Sequence, residues 1–185
     1  MSIQAWISDL VVNERLFPLE PAFRGAEVIR HLYMSEEVRD LVDGPWPSGI
    51  AGKRCAYLRA ELESFVTGAH IGVCCVPFKA RQEQMALLDP VSAGVWDFRS
   101  MDPRPGIRVL GYFADENDFI ALVPAARSVQ TDFIRLGPLG DRDSQEWKAA
   151  IGSTSSMWSR LFPMFKPVTG DDPSAYFGGS KYDCV

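Results

Sequence analysis

The chain has 185 residues, 46% hydrophobic and 23% charged, with 13 prolines and 15 glycines. That is enough for one domain of ordinary size, too apolar for a disordered chain and too often broken for a long helical rod. The net charge of −5 falls mainly in residues 1–52, with four basic against eight acidic side chains, while residues 53–135 hold ten of each; a nucleic-acid partner would have to be met by a local arginine cluster.

No stretch approaches the roughly 18 uninterrupted apolar residues of a membrane span. The first residues, Met1-Ser-Ile-Gln-Ala-Trp6, lack the basic flank and apolar run of a secretory leader. A soluble cytoplasmic protein is expected, with its four cysteines reduced.

Residues 1–26 read as an apolar but irregular N-terminal arm, interrupted at Pro18 and Pro21. From Glu27 to Asp43 the spacing of Val28, Ile29, Leu32, Tyr33, Val38, Leu41 and Val42 is helical, and Ser35 followed by Glu36 and Glu37 fits the cap of a second helical piece. Gly44-Pro-Trp-Pro-Ser-Gly49 is a break. A helix is expected from about Gly52 to Thr67, with Cys55, Leu58, Leu62, Phe65 and Val66 on one face and Gly68 as its stop.

The period then changes. His70–Pro77 alternates as a strand, Phe78–Leu88 reads as a short helix, and Val95–Ser100, Ile107–Ala114 and Asp118–Pro124 as strands, with a hairpin turn at Asp115-Glu-Asn117. Asp143, with Glu146 three residues later, is the expected cap of a helix carrying Trp147, Ala150, Ile151, Trp158, Leu161 and Phe162, ended by Pro163. A single domain is expected over residues 27–165, and residues 166–185, rich in Gly, Asp and Ser from Gly170, read as a flexible tail.

Residues 94–128 carry a resemblance. Trp96–Arg99, then Ile107-Arg-Val-Leu110 with Tyr112 and Phe113, then Phe119–Arg127 resemble the strand–turn–strand–hairpin–strand core of the RelE/HigB/ParE toxin superfamily, with the RelE-like sheet spanning about 70–128. The resemblance implies that Arg99, Arg108 and Arg127 contact an RNA phosphate, with Tyr112 nearby, as catalytic residues of a metal-independent endoribonuclease. Arginines on one sheet face can hold a phosphate and stabilise its developing charge. Three features depart from the family: there is no Lys between Lys79 and Lys148, the chain is acidic, and the turn Ser100–Gly106 is long. Read as ordinary strand residues, Arg99 and Arg108 would be solvated, or would pair with Asp97 and Asp102 across a hairpin as exposed ion pairs.

Other chemistry is sparse. Adjacent Cys74 and Cys75 point to opposite faces of a strand, and His70 with Cys74 lacks a second ligand pair, so no metal is expected. His31 sits beside Arg30 and Tyr33 without a catalytic partner. No phosphate loop, nucleophile elbow or dinucleotide fingerprint occurs, and no cofactor is expected. Trp46, between two prolines, fits an interface anchor for a protein partner or a second copy.

The expected fold is α+β: a small, mainly antiparallel β-sheet of about four strands with N-terminal helices and a C-terminal helix packed on it. Three functions stay open. They are a non-enzymatic or catalytically degenerate protein-binding module with a RelE-like sheet, a toxin-type endoribonuclease, and a phage or mobile-element structural protein.

Overall fold

The computed structural model describes residues 1–76, 83–126, 144–179 and 182–184. Helix α1 spans Ile3–Val12, capped by the Ser2 hydroxyl, which accepts from the Ala5 amide at 3.2 Å. Ile3, Trp6, Ile7, Leu10 and Val11 follow the three-and-four spacing of one helix face, and all pack inward. Strand β1 (Phe17–Pro18) follows. The first 26 residues, read in sequence as an irregular arm, therefore supply a helix and an edge strand to the body.

Strand β2 is His31–Met34. The helical spacing from Glu27 to Asp43 is realised only in α2 (Glu36–Asp43), where Ser35 caps the Val38 amide at 3.3 Å and Gly44 (φ 75°) ends the run. The reason lies in burial. Leu32 packs in one core and its neighbour Tyr33 against another, an opposition that a strand provides and a helix does not. Helix α3 covers Ile50–Val66, close to expectation.

Strand β3 is Ile71–Cys74 and β4 is Met85–Leu87. The expected helix over Phe78–Leu88 is thus contradicted at its C-terminal end, while residues 77–82 lie outside the described residues. Met-Ala-Leu favours a helix, but pairing with β3 on one side and β5 on the other overrides propensity. Strands β5 (Trp96–Ser100), β6 (Ile107–Asp115) and β7 (Asp118–Ala126) fall where the alternation puts them. The β6–β7 turn takes Asn117 through φ 62°, a conformation that Asn tolerates.

Helix α4 is Gln145–Leu161, capped by Ser144, whose hydroxyl accepts from the Trp147 amide at 3.1 Å. The cap expected at Asp143 lies outside the described residues. The last elements are α5 (Ser174–Phe177) and β8 (Tyr182–Cys184).

The described strands form one curled, eight-stranded sheet in the order β1-β2-β7-β6-β5-β4-β3-β8. It is mixed: β2–β7, β3–β4 and β3–β8 are parallel and the other pairs antiparallel. The expectation of about four strands is corrected to eight, because β1, β2, β4 and β8 are too short to show alternation, and the expected mainly antiparallel sheet is a mixed one in which four of the seven pairs are antiparallel.

Helices lie on both faces. Val109, Phe113, Phe119 and Ala121 join the core that contains α2, α3 and α5; Leu110, Tyr112, Ile120 and Leu122 join the core of α1 and α4. A sheet covered on both sides has no solvated face, which is why its central strands read as continuous apolar runs. No helix among the described residues is long and apolar enough to cross a membrane.

Residues 170–184 depart most from expectation. Tyr176 and Phe177 are completely buried, with ring centroids 4.8 and 5.5 Å from Trp96 and 5.3 and 5.1 Å from Phe113. The Asn117 amide donates to Tyr176 O at 2.8 Å, the Tyr176 hydroxyl donates to Gly170 O at 2.7 Å, and burial pushes that phenol up to about 12. Phe177→Ala should therefore cost about 3–5 kcal/mol in urea unfolding, as large-to-small changes in a packed core do. A loosely attached tail would give a change within about 0.5 kcal/mol.

Candidate functional site

Antiparallel β5 and β6 place Arg99 directly opposite Arg108 and Asp97 opposite Leu110. Trp96 and Phe98 fill the α3-side core, so the intervening Asp97 and Arg99 project to the opposite face, toward α4. Asp97 is wholly buried and Arg99 is 3% exposed.

Arg99 Nε donates to both carboxylate oxygens of Asp97, at 3.0 and 2.9 Å, and Arg108 Nη1 donates to Oδ2. The Arg108 guanidinium also lies over the Trp147 ring of α4, 5.8 Å from its centroid. The sequence pairs the two arginines with Asp97 and Asp102 as exposed ion pairs; in the structure both bond to Asp97, and the group is buried. This changes its energetics: buried charges are costly, and removing one partner leaves the others uncompensated.

Beyond this group the turn Ser100–Gly106 forms the wall of a cleft of about 510 Å³. Arg99, Arg104 and Arg108 line it, with Met101 and Pro105 as its apolar side. The turn is tied down from α3, where Arg54 donates from Nε to Pro103 O at 3.2 Å and from Nη2 to Arg104 O at 2.8 Å. Gly106 approaches so closely that a Cβ there would meet Ser100 O at 2.2 Å, so the turn requires glycine at that point.

Farther along α3, the half-buried Glu61 faces the same turn. Its Oε2 and the Ser100 hydroxyl are both buried without a hydrogen-bond partner among the described residues. Burial, and secondarily the charge of Asp102, push the Glu61 carboxyl above the usual range, while the neighbouring Ser100 hydroxyl opposes the shift.

The remaining sequence candidates do not converge here. Tyr112 is on the same strand face as Arg108 but four residues on, about 13 Å along the strand. It is 3% exposed, shares a 2.8 Å hydrogen bond with the Ser155 hydroxyl, and packs on Trp158 at 5.1 Å. Burial raises its phenol, with the Ser155 bond acting against the shift. It does not line the cleft. Arg127 lies outside the described residues.

Trp46 sits between α2 and α3, 38% exposed, with its indole N–H donating to Leu41 O at 2.8 Å. Cys74 packs with Ala86 and Cys75 in the α3-side core, on opposite faces of the strand. Among the described residues, no group of three or more His, Cys, Asp or Glu side chains could hold a metal.

Three contributors had roles not assigned from sequence: Asp97 as a bridge to both arginines, Arg104 and Arg54. The alternation Trp96-Asp-Phe-Arg99 carries the signal for Asp97 as the bridging group, because a carboxylate and a guanidinium share the face opposite two aromatics. Arg104 and Arg54 had no comparable signal, since their roles depend on the path of the 101–106 turn.

Asp97→Asn keeps the shape and removes the charge, leaving two neighbouring guanidinium groups to repel. A loss of about 3–5 kcal/mol is expected by chemical denaturation, recovered in part by adding Arg99→Met. Glu61→Gln acts in the other direction. The raised carboxyl contributes stability while protonated and loses it as pH rises from the ordinary glutamate value of about 4.3 through its folded value. The Gln variant should therefore melt higher than the parent at neutral pH, with the gap closing toward pH 4.

Comparison with protein-family models, curated proteins and solved structures found no match to this chain.

Proposed function

We propose that the chain is a non-enzymatic binding module whose arginine cleft grips an anionic group of its ligand and releases it unchanged. One observation carries this reading. Among the described residues, the cleft is lined by three permanently charged guanidinium groups, with no His, Cys, Lys, Asp or Glu on its surface to accept or deliver a proton near neutral pH. Asp97 beneath it is engaged by both arginines, and Tyr112 is enclosed against α4. Cations held in fixed positions are suited to recognition, whereas RNA cleavage also needs groups that move protons.

The RelE-like relation of residues 94–128 remains part of the proposal, supported by the consecutive antiparallel strands β5, β6 and β7. In this reading the sheet keeps its arginines but acts through binding. Exposed Trp46 is the corresponding contact for a protein partner or second copy.

Expression in a bacterial host separates binding from cleavage. The binding reading predicts unimpaired growth, full-length messenger RNA, and no difference between the parent and Arg108→Ala in either measurement. Growth arrest with transcript cleavage, both relieved by Arg108→Ala, would establish the endoribonuclease instead.

A further inference from the structure

We propose that a second groove, between α2 and α4, is a site for a small zwitterion, an amino acid or short peptide, with its ammonium at Glu37 and its carboxylate at Arg160. It shares no residue with the arginine cleft and does not depend on the reading given for that cleft. Two neighbouring clefts, of about 590 and 420 Å³, have Glu37, Met157 and Arg160 in common, so these three residues stand where the two meet. Ala149, Gly152, Ser153, Ser156, Met157 and Arg160 recur at three- and four-residue spacing and form one face of α4 along the groove. A Cβ added at Gly152 would meet nothing within 4 Å, which leaves that wall open.

The first support is a pair of opposite charges that line one cleft without meeting. Among the described residues, neither Glu37 nor Arg160 makes an ion pair or a side-chain hydrogen bond. Each suits its own helix end, Glu37 in the first turn of α2 and Arg160 in the last turn of α4, so both stay charged without the other. A molecule that engages both must itself carry both signs. A carboxylate accepts from a guanidinium, and an ammonium donates to a glutamate. A simple anion in the same place meets Glu37, and a simple cation meets Arg160. The neighbouring cleft keeps the mixture, with Glu14 and Glu36 on its walls beside Arg15.

The hydroxyls of α4 supply the second support. Thr154 donates to Ala150 O at 2.8 Å, Ser155 to Ile151 O at 3.0 Å and Ser159 to Ser155 O at 3.0 Å, the usual use of a hydroxyl inside a helix. Ser153 and Ser156, the two that line the cleft, make no such bond among the described residues. They remain available to the polar atoms of a ligand. Val123 and Met157 are half-buried and anchored against the α1–α4 core, and they offer an apolar surface to a side chain. The volume is in the range of small-molecule sites.

Calorimetric titration of the full chain at neutral pH, with leucine, alanyl-leucine, N-acetylleucine and leucinamide, tests the assignment. N-acetylleucine lacks the ammonium and leucinamide lacks the carboxylate, while both keep the apolar side chain. Leucine or alanyl-leucine should bind about tenfold more tightly than either control, and whichever binds more tightly tells a free amino acid from a peptide. Glu37→Gln and Arg160→Gln, at exposed positions where substitution leaves the fold intact, should each weaken that ligand about tenfold. Glu37→Gln should leave the weak binding of N-acetylleucine no poorer, and Arg160→Gln that of leucinamide, which assigns each charge to its end. A control that binds as tightly as both zwitterions overturns the proposal, as does zwitterion binding indifferent to both substitutions or absent altogether. None of these outcomes alters the reading of the arginine cleft, which is tested by growth and transcript integrity.

Discussion

Two guanidinium groups face each other across β5 and β6, and a single buried carboxylate lies between them. Like charges directly opposite on neighbouring strands repel, and Asp97, which accepts from both, offsets that repulsion. The register follows from it. Slipping β6 by one residue would turn Arg108 into the α3-side core and leave Asp97 short of one partner, while moving Val109 and Leu110 to the wrong sides of the sheet. The polar triad and the apolar alternation thus specify one pairing, and the position of the cleft depends on that agreement.

The same logic governs the other buried cation. Arg30, just before β2, is completely buried, donates from Nη1 to Phe65 O and Ala69 O at 3.0 Å, and lies over the Phe65 ring. Phe65 O belongs to the last turn of α3 and Ala69 O to the segment just beyond it, at a helix end where backbone acceptors run short of helical partners. A positive group there also meets the negative end of the helix dipole. Burial lowers its affinity for a proton without removing the charge. In both places an arginine is taken from water only where fixed oxygens replace its hydration.

How much of this could be read from sequence varied with element length and with the number of cores. Helices α3 and α4 and strands β5 to β7 were legible, because each is long enough to show its period. The segment from Glu27 was misread since four residues, His31–Met34, satisfy helical and strand spacing equally until the second core is known. Met85–Leu87 gave no strand signal for the same reason of length. At the site, Arg99 and Arg108 were legible from alternation, with Asp97 as one of two expected partners; that Asp97 takes both was not. Their burial was not, because it depends on α4 covering the outer face with Trp147. Tyr112 was assigned to the site by the resemblance, and its hydrogen bond with the Ser155 hydroxyl holds it elsewhere.

Aromatic packing around Trp96 sets an order of events during synthesis. Its partners Tyr176 and Phe177 emerge about 80 positions later, so β5 and β6 present an unfilled ring-lined surface until that stretch has been made. Contacts so distant along the chain slow productive collapse, because a long loop must close before they form. A nascent polypeptide of this design cannot complete its larger core until one late event: arrival of the short helix that seals the sheet.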